Sequence, residues 1–173
     1  ILDEAVQELR NEEFPELFEN EDHLFVNDSL FETDNEIMFP PDYIENTSER
    51  MNFYRRINNA KDEVELNTIR AELTDRFGTI PEKAEDLFNI VECRWLAAKK
   101  GIDRITLKNN KMTGYFSPNL PNSYYESDVF GKILDYIQLH PYTCQLTEKN
   151  GKRLFIINKI TNVTELLLIL RSI

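Results

Sequence analysis

Glu72-Leu73-Thr74-Asp75-Arg76-Phe77-Gly78-Thr79-Ile80-Pro81 is the stretch in which two helical patterns meet. From Asp62 onward, apolar residues fall at Val64, Leu66, Ile69 and Leu73, with Phe77 closing the stripe, which is the spacing of one helix face. Gly78 supplies a left-handed C-cap and Pro81 begins the next helix, so Phe77, Gly78 and Pro81 together predict a helix-loop-helix joint. The charges run against the usual rule. Glu72 and Asp75 sit one turn apart in the last turns of the first helix, where the carbonyl end carries partial negative charge and favours Lys or Arg. Two carboxylates there cost a few tenths of a kcal/mol or more, on the order of the dipole effect itself, unless a cation neutralises them. Arg76 or Arg70 of the same chain is one source of that cation, and a partner is another.

Downstream, the second helix of the joint carries Ala84, Leu87, Phe88, Val91, Trp95 and Ala98 and runs to Gly101, with Thr79 and Glu82 at capping-box spacing. Lys99 and Lys100 end it in the conventional way. Upstream, Thr47 or Ser48 caps a helix with Met51, Tyr54 and Ile57 on its stripe, ended by Asn58-Asn59. From Ile102 the period changes to two. Ile102–Leu107 and Met112–Phe116 predict one hairpin, and Tyr142–Leu146 and Arg153–Ile157 predict another. A helix from about Ser127 separates the hairpins, and one from Asn162 closes the chain. The run Leu166–Leu170 is apolar all round, which predicts burial on more than one face. The expected fold is α+β, with N-terminal helices followed by two hairpins alternating with helices.

The first 49 residues hold 16 Asp and Glu against Arg10 alone, whereas the remaining 124 carry 15 acids and 19 bases, so that the net −11 belongs to the first part. That partition predicts an acidic arm over residues 1–38 joined to a slightly basic domain over 39–173. Ile1-Leu2, Ala5-Val6 and Leu9 read as a short helix ended near Asn11 and Pro15, the tail of something longer. Within the arm, Leu24–Val26 and Leu30–Glu32 are short strand candidates around Asn27-Asp28. Ile37-Met38-Phe39 before Pro40-Pro41 is an extended segment. No apolar run reaches membrane-span length, and the N-terminus has no signal-peptide pattern, so a cytoplasmic location is expected.

Motifs for chemistry are absent. No P-loop, GxSxG, HExxH or EF-hand pattern occurs, and Cys93 and Cys144 with His23 and His140 offer no metal-ligand spacing. Glu63 with Glu65, Glu82 with Glu85, and Glu72 with Asp75 are formal acid/base pairs, but exposed helix faces carry such pairs routinely. No catalytic residue, metal or cofactor is expected. Arg94, Lys99, Lys100, Arg104, Lys108 and Lys111, with Tyr115 and Phe116, form the one basic cluster open to a nucleic-acid reading.

ELTDRFGTIP resembles the ELIDRFGPLP signature of the C-terminal domain of bacterial transcription-repair coupling factors, the Mfd family. Phe39–Ile44 is similar to the family's PDDYI segment, Glu49-Arg50 and Phe53–Arg56 to its ERL and LYKRL helix, and Leu96-Ala97 with Gly101-Ile102 to its LA and LGI run. Ile1–Leu9 resembles the end of the preceding translocase module. Thr74 and Thr79 depart from the pattern. The resemblance implies a non-enzymatic regulatory domain of an ATP-dependent double-stranded DNA translocase acting in transcription-coupled nucleotide excision repair after DNA damage. The ATP motor, RNA polymerase contact and DNA contact belong to other modules. It further implies autoinhibition, in which the domain docks on the UvrB-like domain of the same polypeptide and hides the surface that UvrA binds. Glu72, Asp75 and Arg76 are the docking residues by motif. A DNA-contacting appendage built on Arg94–Lys111 is the alternative.

Overall fold

The computed structural model describes residues 25–173. The helix expected over Ile1–Leu9, as well as His23 and Leu24, lie outside them.

Strand β1 (Leu30–Thr33) is followed by three helices, α1 (Thr47–Asn58), α2 (Glu63–Phe77) and α3 (Glu82–Lys99). A hairpin of β2 (Ile102–Lys108) and β3 (Lys111–Phe116) comes next. A short 3-10 turn at Asn122–Glu126, helix α4 (Asp128–Leu139), a second hairpin of β4 (Cys144–Lys149) and β5 (Lys152–Asn158), and α5 (Val163–Ser172) complete the chain. The fold is α+β, as the period change at Ile102 predicts. Both hairpins close on two residues with positive φ, Asn109-Asn110 at 54° and 57° and Asn150-Gly151 at 53° and 73°. That backbone matches the right-handed twist of the strands they join.

The five strands form one sheet in the order β1-β2-β3-β5-β4. All pairs are antiparallel except β1 with β2, which run parallel in the register Leu30 to Arg104 through Thr33 to Leu107. A parallel neighbour needs a crossover, and α1–α3 supply it. Alternation within a single strand does not reveal its partner, so the sequence pointed to Leu30–Glu32 but not to this pairing. Phe25–Asn27 is a bend and not the other strand. Through β1, residues 30–33 of the acidic segment are built into the sheet.

Two hydrophobic cores share α3. Ala84, Phe88 and Val91 face Leu66, Ile69 and Leu73 of α2, Phe53 and Ile57 of α1, and Phe39 and Ile44 ahead of them. Cys93 and Ala97 face the sheet, α4 and α5. Both cysteines are buried and unbonded.

Several local expectations are corrected. Asn46 caps α1, its side chain accepting the Glu49 N–H at 3.0 Å, in place of Thr47 or Ser48. Pro81 occupies the N-cap of α3 with no side-chain cap bond, which leaves Thr79 and Glu82 out of phase for a capping box. Met51 is 52% exposed, Val64 73% and Leu168 60%. Each stands two residues, about 200° of helix, from a buried stripe residue at Phe53, Leu66 and Leu166. Helix α5 is therefore buried along one side, through Val163, Leu166, Leu167 and Leu170.

Candidate functional site

The joint between α2 and α3 is held from below by aromatic side chains. Phe77 is half-buried, with ring centroids 5.7 Å from Tyr43 and 6.1 Å from Phe53. The Tyr43 hydroxyl reaches the carbonyls of Gly78 at 3.0 Å and Leu73 at 3.3 Å, tying the segment before α1 to the end of α2. Gly78 ends α2 at φ 83°, its N–H donating to the Thr74 carbonyl. That backbone region disfavours any residue with a Cβ.

Above this floor lies a charge network. Glu72 accepts from Arg56 Nη2 at 2.6 Å and from Arg76 Nη1 at 3.5 Å. Arg76 also bonds Glu49, and its guanidinium lies 4.8 Å from the Phe77 ring centre. Glu49, Phe53 and Arg56 recur at helical spacing on α1, so one face of α1 meets the last turns of α2. The hydrogen bond from Arg56 holds the Glu72 carboxyl below its ordinary value, with Arg76 adding to the effect. The Glu49 carboxylate correspondingly raises Arg76.

The structure thus separates the two acids that the sequence paired. Glu72 is neutralised inside the chain by Arg76 and Arg56, whereas Arg70 goes to Glu85 at 3.3 Å and Glu92 at 3.8 Å. Asp75 is exposed and makes no ion pair or side-chain hydrogen bond with a described residue. Arg56 and Glu49 were not singled out from sequence. Their spacing on α1 was the available signal, but nothing in one chain states that this face meets α2.

The basic cluster is largely occupied. Arg94 donates to Asp28 Oδ2 at 2.5 Å, the Ser29 carbonyl at 2.9 Å and Asn58 Oδ1 at 2.9 Å. Arg104 and Lys108 share Glu32 at 2.9 Å and 3.1 Å, and these cations lower the Glu32 carboxyl, Lys108 most. Lys83 pairs with Glu36 at 2.5 Å. Residues 28–36 of the acidic segment are therefore an ionic strap along α3 and β2.

Other candidates have structural roles. His140 stacks on Tyr136 at 4.1 Å and approaches its carbonyl through Nδ1 at 2.9 Å. A cleft of about 980 Å³ lies between the α1–α2 turn and α3. None of the three carboxylate pairs lines it together, and Glu92 within it bonds Arg70 and Arg171. Among the described residues no helix is long and apolar enough to cross a membrane.

Comparison with known proteins agrees with the fold. The family model described as TRCF domain matches residues 33–127, which contain the whole α1–α3 unit. The chain is similar to the transcription-repair-coupling factor of Escherichia coli (strain K12), 43% identical over 68 residues, 39% of this chain and 6% of that protein. It is similar to the transcription-repair-coupling factor of Rickettsia conorii (strain ATCC VR-613 / Malish 7), 26% identical over 166 residues, 91% of this chain and 14% of that protein. The chain thus spans a small part of the length of the curated relatives it matches. In fold it is similar to the crystal structure of a C-terminal domain of transcription-repair coupling factor, with TM-score 0.65 and 18% identity, over 84% of this chain and 92% of that one.

Proposed function

Because the chain belongs to the TRCF domain family, we propose that it is the C-terminal regulatory domain of a transcription-repair-coupling translocase and acts by docking on another module of the same polypeptide. In this reading the domain is an autoinhibitory clamp. It covers the UvrA-binding surface of the UvrB-like domain, while ATP hydrolysis and the DNA and RNA polymerase contacts reside elsewhere in the full-length protein.

The observation that carries the reading is the position of Asp75. A carboxylate without a partner among the described residues stands at the negative end of α2, on a joint fixed by Gly78 and Tyr43, where a cation from outside satisfies both the carboxylate and the helix end. Carboxylate-arginine pairs are directional and gain strength when an interface excludes water. Asp75 is therefore the direct docking group. Glu72 acts differently, because an incoming arginine must share it with Arg56 and Arg76. Its part is to hold those side chains and Glu49 in one arrangement around the docking point. Release requires a competing partner or a motor conformation with different affinity for the docked and free states.

Charge reversal at Glu72 and Asp75 in the full-length protein is expected to raise UvrA affinity with the domain still folded. Unchanged UvrA binding by a folded variant removes the site. The DNA-contacting alternative loses support because Arg94, Arg104 and Lys108 already pair with Asp28 and Glu32. A gel shift with steep salt dependence would restore it.

A further inference from the structure

An ion pair left in water changes an affinity by about fivefold at most, so a surface that docks through Asp75 also needs apolar contact beside it to exclude water. Helix α2 carries that contact. Val64, Thr68, Ala71 and Asp75 recur at the i, i+4, i+7 and i+11 positions of one stripe, and all four are exposed. No long charged side chain interrupts the stripe. Val64, 73% exposed, stands at its far end, about 16 Å from Asp75 at the rise of a helix. The Thr68 hydroxyl donates to the Val64 carbonyl at 2.8 Å, which spends its one donor inside the helix.

Beside Val64 and Thr68 the contact between α1 and α2 opens into a groove of about 360 Å³, lined by Arg56 and Asn59 of α1 and by Val64, Glu65, Thr68 and Ile69 of α2. Its charged groups are already engaged. Arg56 bonds Glu72 at 2.6 Å, and Glu65 accepts the Lys61 N–H at 2.9 Å. The groove therefore has apolar surface to offer and no free charge. Met51 is the other exposed large apolar residue of α1 and α2, but it stands about 140° round α1 from Arg56, off the groove. Glu63 is about 100° round α2 from Val64, on the side away from Glu65.

We infer that the groove beside Val64 is the apolar half of the docking surface whose charged half is Asp75, and that one partner surface fills both. The inference rests on the docking reading given above and extends it. The occupant is the module that supplies the cation for Asp75, and it presents a bulky aliphatic or aromatic side chain about 16 Å from that cation. Thr68 and Ala71, between the two points, are short enough for the partner to pack closely along α2. A free small molecule fits less well, because the groove lies near the bottom of the range of roughly 300–1,000 Å³ for such sites and has no free charge to orient one.

The test is the UvrA affinity of the full-length protein as parent, Val64→Ser, Val64→Ile, Met51→Ser and Asp75→Lys, since undocking bares the UvrA surface in that reading. Val64→Ser removes apolar surface without changing charge and is expected to raise UvrA affinity about fivefold, with the circular dichroism spectrum unchanged. Val64→Ile and Met51→Ser are expected to stay at the parent value. The inference fails if Val64→Ser stays there too, or if Met51→Ser raises affinity as much. Asp75→Lys reports on the docking reading by itself. A rise with Asp75→Lys and none with Val64→Ser removes the groove and leaves the reading standing, whereas the reverse keeps the groove and removes Asp75. Parent-like values for both remove the two together. A dimer of the parent protein that Val64→Ser dissociates would assign the groove to a second copy and also overturn the inference.

Discussion

Two helices of this domain end on a glycine with positive φ, Gly78 after α2 and Gly101 after α3, yet the two ends are built for different purposes. A Cβ at Gly101 would stand 2.8 Å from the Tyr124 ring, whose hydroxyl donates to the Lys100 carbonyl at 2.5 Å. A Cβ at Gly78 would meet nothing within 4 Å. The α3 end carries Lys99 and Lys100, as its dipole favours, and is locked into the sheet core through Tyr124. The α2 end carries Glu72 and Asp75 and opens to solvent. One local device, a glycine stop at positive φ, thus serves once as a core junction and once as a presented surface, although ψ −162° at Gly78 departs from the left-handed cap expected there.

Substitutions separate the two ends. Gly101→Ala combines an unfavourable φ with a ring clash and is expected to destabilise the chain by about 2–3 kcal/mol. Gly78→Ala meets only the backbone penalty of its φ 83°, ψ −162° conformation and should cost about 1–2 kcal/mol. Equal losses in urea unfolding of the two variants would erase the distinction.

Glu72→Gln is a smaller perturbation, because its ion pairs are about a third exposed and screened, and the expected loss at neutral pH is under about 1 kcal/mol. Its pH dependence has a definite sign. The folded carboxyl lies below the ordinary value of 4.5, so its contribution is present above that value and fades as pH falls through the lower folded value. The difference in Tm between the parent chain and Glu72→Gln should therefore shrink below pH 4.5, and a difference that grows on acidification would contradict the network. Asp75→Lys should move stability least, by about 0.5 kcal/mol or less, and toward greater stability because a cation suits the helix end.

Much of the helical half was legible because its signals are local. Leu66, Ile69 and Leu73 state the stripe of α2, Gly78 states its stop, and Asn109-Asn110 sits where the alternation reverses. The parallel pairing of β1 was not legible, since its partner lies some seventy residues away and the pattern LFET is the same in any sheet. The candidate site divides the same way. Two acids at a helix C-terminus are visible in the sequence as an unfavourable placement, but the choice of Arg56 over Arg70 as neutraliser depends on how α1 crosses α2. For the last residues of the acidic stretch, composition reports charge and not pairing. Asp28, Glu32 and Glu36 in fact bind Arg94, Arg104, Lys108 and Lys83.

The proposed docking carboxylate is Asp75 and not Glu72, which pairs with Arg56 and Arg76. The most direct measurement is calorimetric titration of this chain, as parent, Asp75→Lys and Glu63→Lys, into the isolated UvrB-like domain of the same protein. Asp75→Lys is expected to weaken binding about tenfold or more, a loss of about 1.4 kcal/mol, with Tm unchanged or higher, while Glu63→Lys at the other end of α2 leaves affinity intact. Parent-like affinity for a folded Asp75→Lys chain would contradict it.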